Sequence, residues 1–292
     1  MEYTIEKIDI TNLNTELEIR QVIKAAFNSQ NLLPENYLIN NIQSNASMPS
    51  FFLAAKENGV IIGCNAFLAN DFVLNNKPYV GFQSCWSATH PDHQGKKVFM
   101  NMINEGKRIL KDAKAGFLYG IANDNSHPIF IKKLGFIETP AVYVRILNIP
   151  FLKNSYFNKT TINTNNSLII NEGQVEAYKR TQYPANTKII KHKNSWVWGK
   201  IINKAKFGIH IRAFYVGGIH ISEENDFKYL INNLFRIHKV FAIQLTSCKS
   251  NSFNKLLKNW KPSMHMNGFI FFNLNMPDFE HLNLMIGSID VF

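Results

Sequence analysis

The segments HPDHQGKKVFMNMI, at His90–Ile103, and NDNSHPIFIKKLGF, at Asn123–Phe136, decide how this chain is expected to fold. In the first, an apolar strand pattern runs into a short turn that contains Gly95 and opens directly into a helix. Backbone N–H groups at a helix N-terminus have no partner within the helix, and the positive end of the helix dipole lies there. The turn is therefore suited to a pyrophosphate, with Lys96 and Lys97 adding positive charge. The alternative is an ordinary solvated turn between a strand and a helix.

Hydrophobic patterns around these segments predict a mixed α/β fold for the first half of the chain. Asn58-Gly59 between two apolar runs predicts a hairpin. The resulting order is β-α-β-β-β-α-β-α-β, which indicates a mixed sheet, antiparallel early and parallel around the central helix. Strands are predicted at Tyr3–Ile10, Ser50–Lys56, Val60–Ala69, Tyr79–Thr89, Gly116–Ala122 and Ala141–Leu147, and helices at Thr15–Phe27, Lys97–Ala113 and Ser126–Leu134.

The second half repeats the later part of this order without clear sequence identity to it. We interpret the polar stretch Asn154–Asn166 as a linker or long surface loop. Two domains are therefore expected, at residues 1–150 and 151–292, with the second a degenerate copy of the first. Its strands are predicted at Phe207–Val216, Phe241–Thr246 and Phe269–Leu274, and its helices at Asp226–His238 and Ser252–Trp260.

Composition favours a globular protein that binds a phosphorylated small molecule. The 292 residues are 46% hydrophobic and only 18% charged, which is sufficient for a large core. The net charge of +11 attracts anions, but Lys and Arg are scattered and form no run or Arg-rich stripe. A pocket for a phosphorylated cofactor or a nucleotide-linked substrate explains this charge with fewer assumptions than nucleic-acid binding.

Cysteine usage and the N-terminus favour a reducing cytoplasm. The residues Cys64, Cys85 and Cys248 lie far apart and show no metal-ligand spacing, so neither zinc nor a disulfide framework is indicated. The N-terminus lacks a secretory apolar region, and no apolar run is long enough for a transmembrane helix. We expect a cytoplasmic protein with no metal and no membrane insertion.

Both quoted segments resemble the signatures of the GCN5-related N-acetyltransferase (GNAT) superfamily. The first is similar to its acyl-CoA-binding signature, Arg/Gln-x-x-Gly-x-Gly/Ala, and the second to a signature with an Asn before a short helix ending in Lys-Leu-Gly-Phe. The resemblance covers residues 1–150 and implies an enzyme, an acyltransferase, that uses acetyl-CoA or a longer acyl-CoA. It also implies that the cofactor lies between two central strands. The residues implied to bind it are Ser87, Ala88, Thr89, Gln94, Gly95, Lys96, Lys97, Val98, Phe99, Asn123 and Asn125.

This chain departs from the family pattern at three points. Lys97 stands where the family prefers Gly, and Phe99 where it prefers Gly or Ala. Phe130 and Ile131 occupy the neighbourhood of a Tyr that protonates the leaving thiolate in many members. The strand Tyr79–Thr89 carries no carboxylate that could serve as a base. The remaining candidates for assisting proton transfer are Gln83, Ser84 and His90.

The second half is expected to serve as a platform for the acceptor substrate. Acidic residues in Gly217–Asp226 would repel a pyrophosphate, so this half is not expected to bind CoA. Tandem domains with such a partner resemble acyltransferases of surface-polysaccharide (O-antigen) biosynthesis, which acylate amino sugars carried on nucleotides such as dTDP or UDP. In that interpretation Trp196 and Trp198 stack on the ligand and Asp290 binds sugar hydroxyls; the alternative for the Trp pair is core packing.

The predicted reaction is direct attack of the amine on the acyl-CoA in a ternary complex. Two alternatives stay open. One is an N-acetyltransferase for a peptide, polyamine or aminoglycoside amine. The other is a CoA-fold module that binds without turnover.

Overall fold

The structure, a computed structural model, forms two compact units. It describes residues 3–42, 46–149, 156–158, 160, 166–171, 187–206, 209–263 and 268–288. The first unit comprises residues 1–71, 79–138 and 270–277, and the second comprises residues 72–78, 139–269 and 278–292. The described strands form one nine-stranded and one six-stranded sheet, and the strands Ser167–Ile170 and His281–Asn283 of the second unit belong to the nine-stranded one. Mixed sheets with helices confirm the predicted mixed α/β class.

The helices and strands follow the chain in the predicted order, with additions. The helices are α1 (Leu13–Ala26), α2 (Tyr37–Ile42), α3 (Val98–Asp112), α4 (His127–Lys132) and α5 (Glu224–His238). The strands are β1 (Thr4–Ile8), β2 (Phe51–Glu57), β3 (Val60–Leu74), β4 (Lys77–Thr89), β5 (Phe117–Ile121), β6 (Ile137–Thr139), β7 (Ala141–Leu147), β8 (Ser167–Ile170), β9 (Thr187–His192), β10 (Ser195–Lys206), β11 (Ile209–His220), β12 (Ala242–Cys248), β13 (Lys261–Pro262), β14 (Phe269–Asn273) and β15 (His281–Asn283).

The sheet of the first unit has the order β1-β2-β3-β4-β5-β14-β6. The predicted hairpin joins β2 to β3, and both of its turn residues, Asn58 and Gly59, have positive φ. Helix α3 lies against this sheet at a glycine, since a Cβ at Gly106 would meet the Phe67 ring at 2.1 Å. The core between them is apolar and includes Phe67, Phe82 and Ile103.

The central strands β4 and β5 are parallel but pair over only part of their length. Their register begins at Gly81–Phe117 and ends at Gln83–Tyr119, while β4 continues to Thr89. Beyond that point Trp86 has a φ of 44°, an unfavourable conformation for a large side chain. Its ring is held by stacking on Phe52, with the centroids 5.8 Å apart. The free end of β4 is thereby available to line a cavity.

The second unit contains a six-stranded sheet in the order β13-β7-β12-β11-β10-β9. Strands β9, β10 and β11 are antiparallel, and α5 connects β11 to its parallel neighbour β12. The apolar face of α5 packs on this sheet through Phe227, Leu230, Ile231 and Leu234.

The two units do not meet at a single boundary in the sequence, in contrast to the expected division at residue 150, because each unit combines several segments of the chain. Strand β7 belongs to the second unit, where it pairs with β12, and β14 belongs to the sheet of the first unit. The predicted helix at Ser252–Trp260 is only a short 3-10 helix over Ser252–Leu256, in which Asn251 caps the N–H of Phe253. Most of the predicted linker lies outside the described residues.

Candidate active site

A cavity of about 560 Å³ lies in the first unit, where β4, the Gly95 turn, α3 and α4 meet. All the residues predicted to bind the cofactor line it, with the exception of Lys96. The walls are formed by Ala26, Phe27, Ser87, Ala88, Thr89, His93, Gln94, Gly95, Lys97, Val98, Phe99, Met100, Asn123, Asn125, Ser126, Ile129 and Lys133.

Backbone amides at the start of α3 have no acceptor among the described residues. In the described chain, no carbonyl or side chain accepts a hydrogen bond from the N–H groups of Gly95 through Met100. The first intrahelical bond is donated by Asn101 to the carbonyl of Lys97, 3.0 Å away. These amides, together with the helix dipole, make the turn a binding site for an anion.

The conformation of the turn at Lys97 is one that glycine adopts more easily than lysine. Lys97 has a φ of 63°, in the left-handed region that glycine adopts readily. A side chain in that region costs about 1–2 kcal/mol. Lys97 lines the cavity and adds a positive charge to its lining residues. Phe99 also lines the cavity, and its ring packs edge-on against that of Phe130, with the ring centroids 5.3 Å apart.

The Lys96 side chain does not line the cavity, contrary to the prediction. Its Nζ lies 3.9 Å from Oε1 of Glu57 and 3.4 Å from Nδ1 of His93. Glu57, at the end of β2, thus attracts this ammonium group away from the turn. Lys96 is therefore absent from the cavity wall, while His93, whose Nδ1 is 3.5 Å from Oε2 of Glu57, lines the cavity.

Asn123 and Asn125 line the cavity at the start of α4, and Asn123 also organises the turn. The Oδ1 of Asn123 accepts hydrogen bonds from the backbone N–H groups of Asn125, at 3.1 Å, and Ser126, at 2.9 Å. These bonds stabilise the turn that leads into α4, whose N-cap residue is Ser126. The carboxamide oxygen of Asn123 is therefore engaged in this turn, which the sequence pattern did not indicate.

None of the three candidates for proton transfer lines the cavity. Gln83 and Ser84 are 4% and 9% exposed, and the Ser84 hydroxyl donates to Oδ1 of Asn65 at 3.2 Å. His90 caps the short 3-10 helix that follows it, since its Nδ1 accepts from the N–H of Asp92 at 3.4 Å. Its position in the turn therefore has a structural explanation.

Several lining residues were not predicted, among them Ala26, Phe27, His93, Met100, Ser126, Ile129 and Lys133. The spacing of Ser126, Ile129 and Lys133 places them on one helical face, and this signal was available in the sequence. Among the residues that line the cavity, Lys97 and Lys133 are cationic and none is Asp or Glu. The charge of the cavity therefore matches an anionic ligand.

The predicted acceptor residues of the second unit have different outcomes. Trp198 is fully buried, and its ring fills the space beside Gly217, so the interpretation as a stacking platform is wrong and core packing holds. Trp196 is partly buried and stacks on His220, its partner on β11, at 5.9 Å. Asp290 lies outside the described residues.

The start of α5 carries acidic residues, as the sequence predicted, and one of them is buried. Asp226 is 2% exposed and accepts a hydrogen bond from the Ser195 hydroxyl at 2.7 Å, while Lys193 Nζ lies 3.8 Å from its other oxygen. These contacts connect the β9–β10 turn to the helix. A carboxylate at this position is unfavourable for a phosphate.

The described residues contain neither a candidate metal site nor a candidate membrane-spanning helix. No group of His, Cys, Asp and Glu there is arranged to hold a metal ion. No helix there is both long and apolar enough to cross a membrane.

Comparison with known proteins identifies the domain that carries the cavity. Residues 9–138 match the family model described as the acetyltransferase (GNAT) domain. The matched range contains β4, the Gly95 turn, α3 and α4, and so nearly all of the first unit. The resemblance inferred from the two signatures is thereby confirmed. No curated protein sequence matches the chain significantly.

Solved structures share the fold over almost the whole chain. Eis1 from Mycobacterium abscessus has a TM-score of 0.60 at 12% identity, covering 94% of this chain and 74% of its own. A GCN5-related N-acetyltransferase from Kribbella flavida has a TM-score of 0.61 at 8% identity, covering 94% and 71%. Another, from Anabaena variabilis, has a TM-score of 0.60 at 9% identity, covering 94% and 73%. At these identities the likeness concerns the fold alone.

Proposed function

We propose that this chain, whose residues 9–138 form a GNAT acetyltransferase domain, transfers an acyl group from a coenzyme A thioester to an amine. The observation that carries the proposal is the row of amides from Gly95 to Met100, which find no acceptor in the part of the chain that the structure describes. They open on a cavity with cationic side chains and no carboxylate in its wall. Such a site favours a diphosphate over a neutral or cationic ligand.

The residues present fit the parts of acyl-CoA. The amides of Gly95 to Met100 and the Lys97 and Lys133 side chains would hold its phosphates. The end of β4 at Ser87–Thr89, which lines the cavity, would run beside its extended arm. The thioester supplies an activated acyl group: a C–N bond forms, the C–S bond breaks, and the proton lost by nitrogen balances the one gained by the thiol.

We propose direct transfer in a ternary complex, without an acyl-enzyme. Cys85, on β4, does not line the cavity, and no motif pairs it with a histidine. The three candidate groups for proton transfer also lie outside the cavity wall. An acceptor amine of near-neutral pKa would suit this site, because a useful fraction of it is already unprotonated at pH 7.

The acceptor class that we propose is an amino sugar, carried on a nucleotide such as dTDP or UDP, for surface-polysaccharide biosynthesis. The net charge of +11 favours a substrate that bears phosphates and disfavours polycations such as polyamines and aminoglycosides. The second unit would form the acceptor platform, with Trp196 as the remaining aromatic candidate.

Thiol release tests both levels of the proposal. Purified protein is incubated with acetyl-CoA and longer acyl-CoAs against amino-sugar nucleotides, free amino sugars, an aminoglycoside and a polyamine. Release that requires an amino-sugar nucleotide supports the full proposal. Release with another amine supports acyl transfer and overturns the acceptor class. Thermal stabilisation by acyl-CoA without thiol release favours a binding module. The absence of both stabilisation and thiol release would refute the cofactor assignment.

A further inference from the structure

A buried asparagine holds two serine hydroxyls where β4 separates from β5. Asn65, on β3, is fully buried, and Ser84 and Ser87 lie on β4. The Oδ1 of Asn65 accepts the hydroxyl of Ser84 at 3.2 Å and also that of Ser87. Of the two serines, Ser87 lines the cavity and Ser84 does not. The cluster therefore joins the core of the sheet to the cavity wall.

The direction of these hydrogen bonds is fixed by the chemistry of the partners. The Nδ2 of Asn65 donates to the carbonyl of Ala66 at 3.0 Å, which assigns the other carboxamide atom as oxygen. An amide oxygen only accepts, so each serine must donate its single hydroxyl proton to it. The Ser87 oxygen then has lone pairs but no proton for a ligand.

We propose that Ser87, oriented by Asn65, accepts a hydrogen bond from an N–H group of the bound substrates; this rests on the proposed function. A serine hydroxyl ordinarily serves as donor or acceptor by rotating. Here the Ser87 hydroxyl already donates its proton to Asn65, so it can only accept a hydrogen bond from a ligand. Asn65 is the positioning residue, since it does not line the cavity itself.

This assignment divides the cavity by polarity. The turn from Gly95 to Met100 offers N–H donors and selects an anion. The wall at Ser87 offers an acceptor and selects a donor. A CoA thioester has amide N–H groups along its arm, and the acceptor substrate has an amine. Either substrate can therefore supply the N–H group that donates to Ser87. The two are distinguished by whether a substitution at Ser87 changes Kd for acetyl-CoA or KM for the amine.

The test compares Ser87→Ala, Ser87→Thr and Asn65→Leu with the wild type. Calorimetry gives Kd for acetyl-CoA, and steady-state thiol release gives KM for the amine that supports turnover. Loss of one hydrogen bond of this kind predicts a weakening of about fivefold to tenfold in Ser87→Ala. A rise in Kd assigns the bond to the thioester arm, and a rise only in KM for the amine assigns it to the acceptor. Ser87→Thr retains the hydroxyl and should restore most of the affinity.

Ser47→Ala is the matched control. The Ser47 hydroxyl donates to a carboxylate oxygen of Asp71 at 2.9 Å and does not line the cavity, so its removal should leave both constants unchanged.

The double variant, which combines Asn65→Leu with Ser87→Ala, distinguishes a positioning role of Asn65 from a general effect on the fold. If Asn65 acts through Ser87, Asn65→Leu should weaken binding in the wild type and have no further effect in Ser87→Ala. A purely structural role would weaken both backgrounds equally and would overturn the role of Asn65. Should Asn65→Leu not fold, Ser87→Ala still decides.

Wild-type values of both constants in a folded Ser87→Ala variant would refute this inference and leave acyl transfer intact. A wild-type protein that binds no acyl-CoA would instead refute the proposed function, and this inference with it.

Discussion

The ammonium nitrogen of Lys107 lies 3.7 Å from the centroid of the Phe272 ring. Lys107 is on α3 and Phe272 is on β14, so this contact connects the central helix to a strand that lies far along the chain. The same nitrogen lies 5.0 Å from the Phe136 ring and donates to the carbonyl of Leu134. A cation is thus enclosed by aromatic faces beside α4.

This enclosure predicts a pH-dependent stability. Burial lowers the pKa of Lys107 from its ordinary value of 10.5 to about 8 in the folded chain. Between these pH values the unfolded chain holds a proton that the folded chain has released, so the free energy of unfolding should rise with pH. Below pH 8 both states are protonated and this contribution does not change.

Denaturant unfolding of Lys107→Met from pH 7 to 10 isolates the effect. The increase seen in the wild type should be absent in Lys107→Met and retained in Lys111→Met, which removes an exposed lysine from the same helix. An equal pH dependence in all three proteins would contradict the assignment to Lys107.

Two glycines allow a matched test of the turn. Gly95 and Gly59 have φ of 79° and 83°, and a Cβ added to either meets no heavy atom within 4 Å. Gly95→Trp and Gly59→Trp should therefore lose similar stability, about 1–2 kcal/mol for a side chain in this region. Only Gly95 lines the proposed cofactor cavity, so only Gly95→Trp should lose acyl-CoA affinity, by more than about tenfold. Full turnover in folded Gly95→Trp would count heavily against the cofactor assignment.

The cysteines predict a single reactive thiol in the native chain. Burial raises the pKa of Cys64 to about 12 and that of Cys248 to about 11, so at pH 8 about one in a thousand or fewer of these groups is thiolate. Cys85 is only partly buried. A colorimetric thiol reagent at pH 8 should titrate one thiol rapidly in the native protein and three in denaturant. Cys85→Ser should abolish the rapid phase; a rapid phase that persists would show that a buried thiol is accessible.

The sequence predicted the parts of this molecule that depend on near neighbours. The Asn58-Gly59 hairpin, the Gly95 turn and the start of α3 follow from turn and helix-end residues close together in the chain. The resemblance to the GNAT signatures added Ser87 and Asn123 as residues expected near the ligand, and both line the cavity.

The features that the sequence did not predict depend on pairing between segments that are distant in the chain. Nothing in the local pattern of Phe269–Asn273 indicates that this strand joins the sheet of the first unit, or that Ala141–Leu147 joins that of the second. The ion pair of Lys96 with Glu57 and the anchoring of Ser87 by Asn65 are of the same kind. Each requires a neighbouring strand to be in place before the side chains meet.

Adjacent lysines at the end of α4 supply the final prediction. Lys133 lines the cavity and Lys132, one position earlier, does not, although both are exposed. If Lys133 faces a phosphate of acyl-CoA, Lys133→Ala should raise Kd by about fivefold, which corresponds to about 1 kcal/mol. Lys132→Ala changes the net charge equally and should have little effect. The Debye screening length is only about 3 Å at 1 M ionic strength, so interactions between exposed charges are weak there. The difference in Kd between the two variants should therefore shrink at high ionic strength. Equal effects of both substitutions would mean that only the overall charge of the protein attracts the ligand, and that Lys133 makes no contact with it.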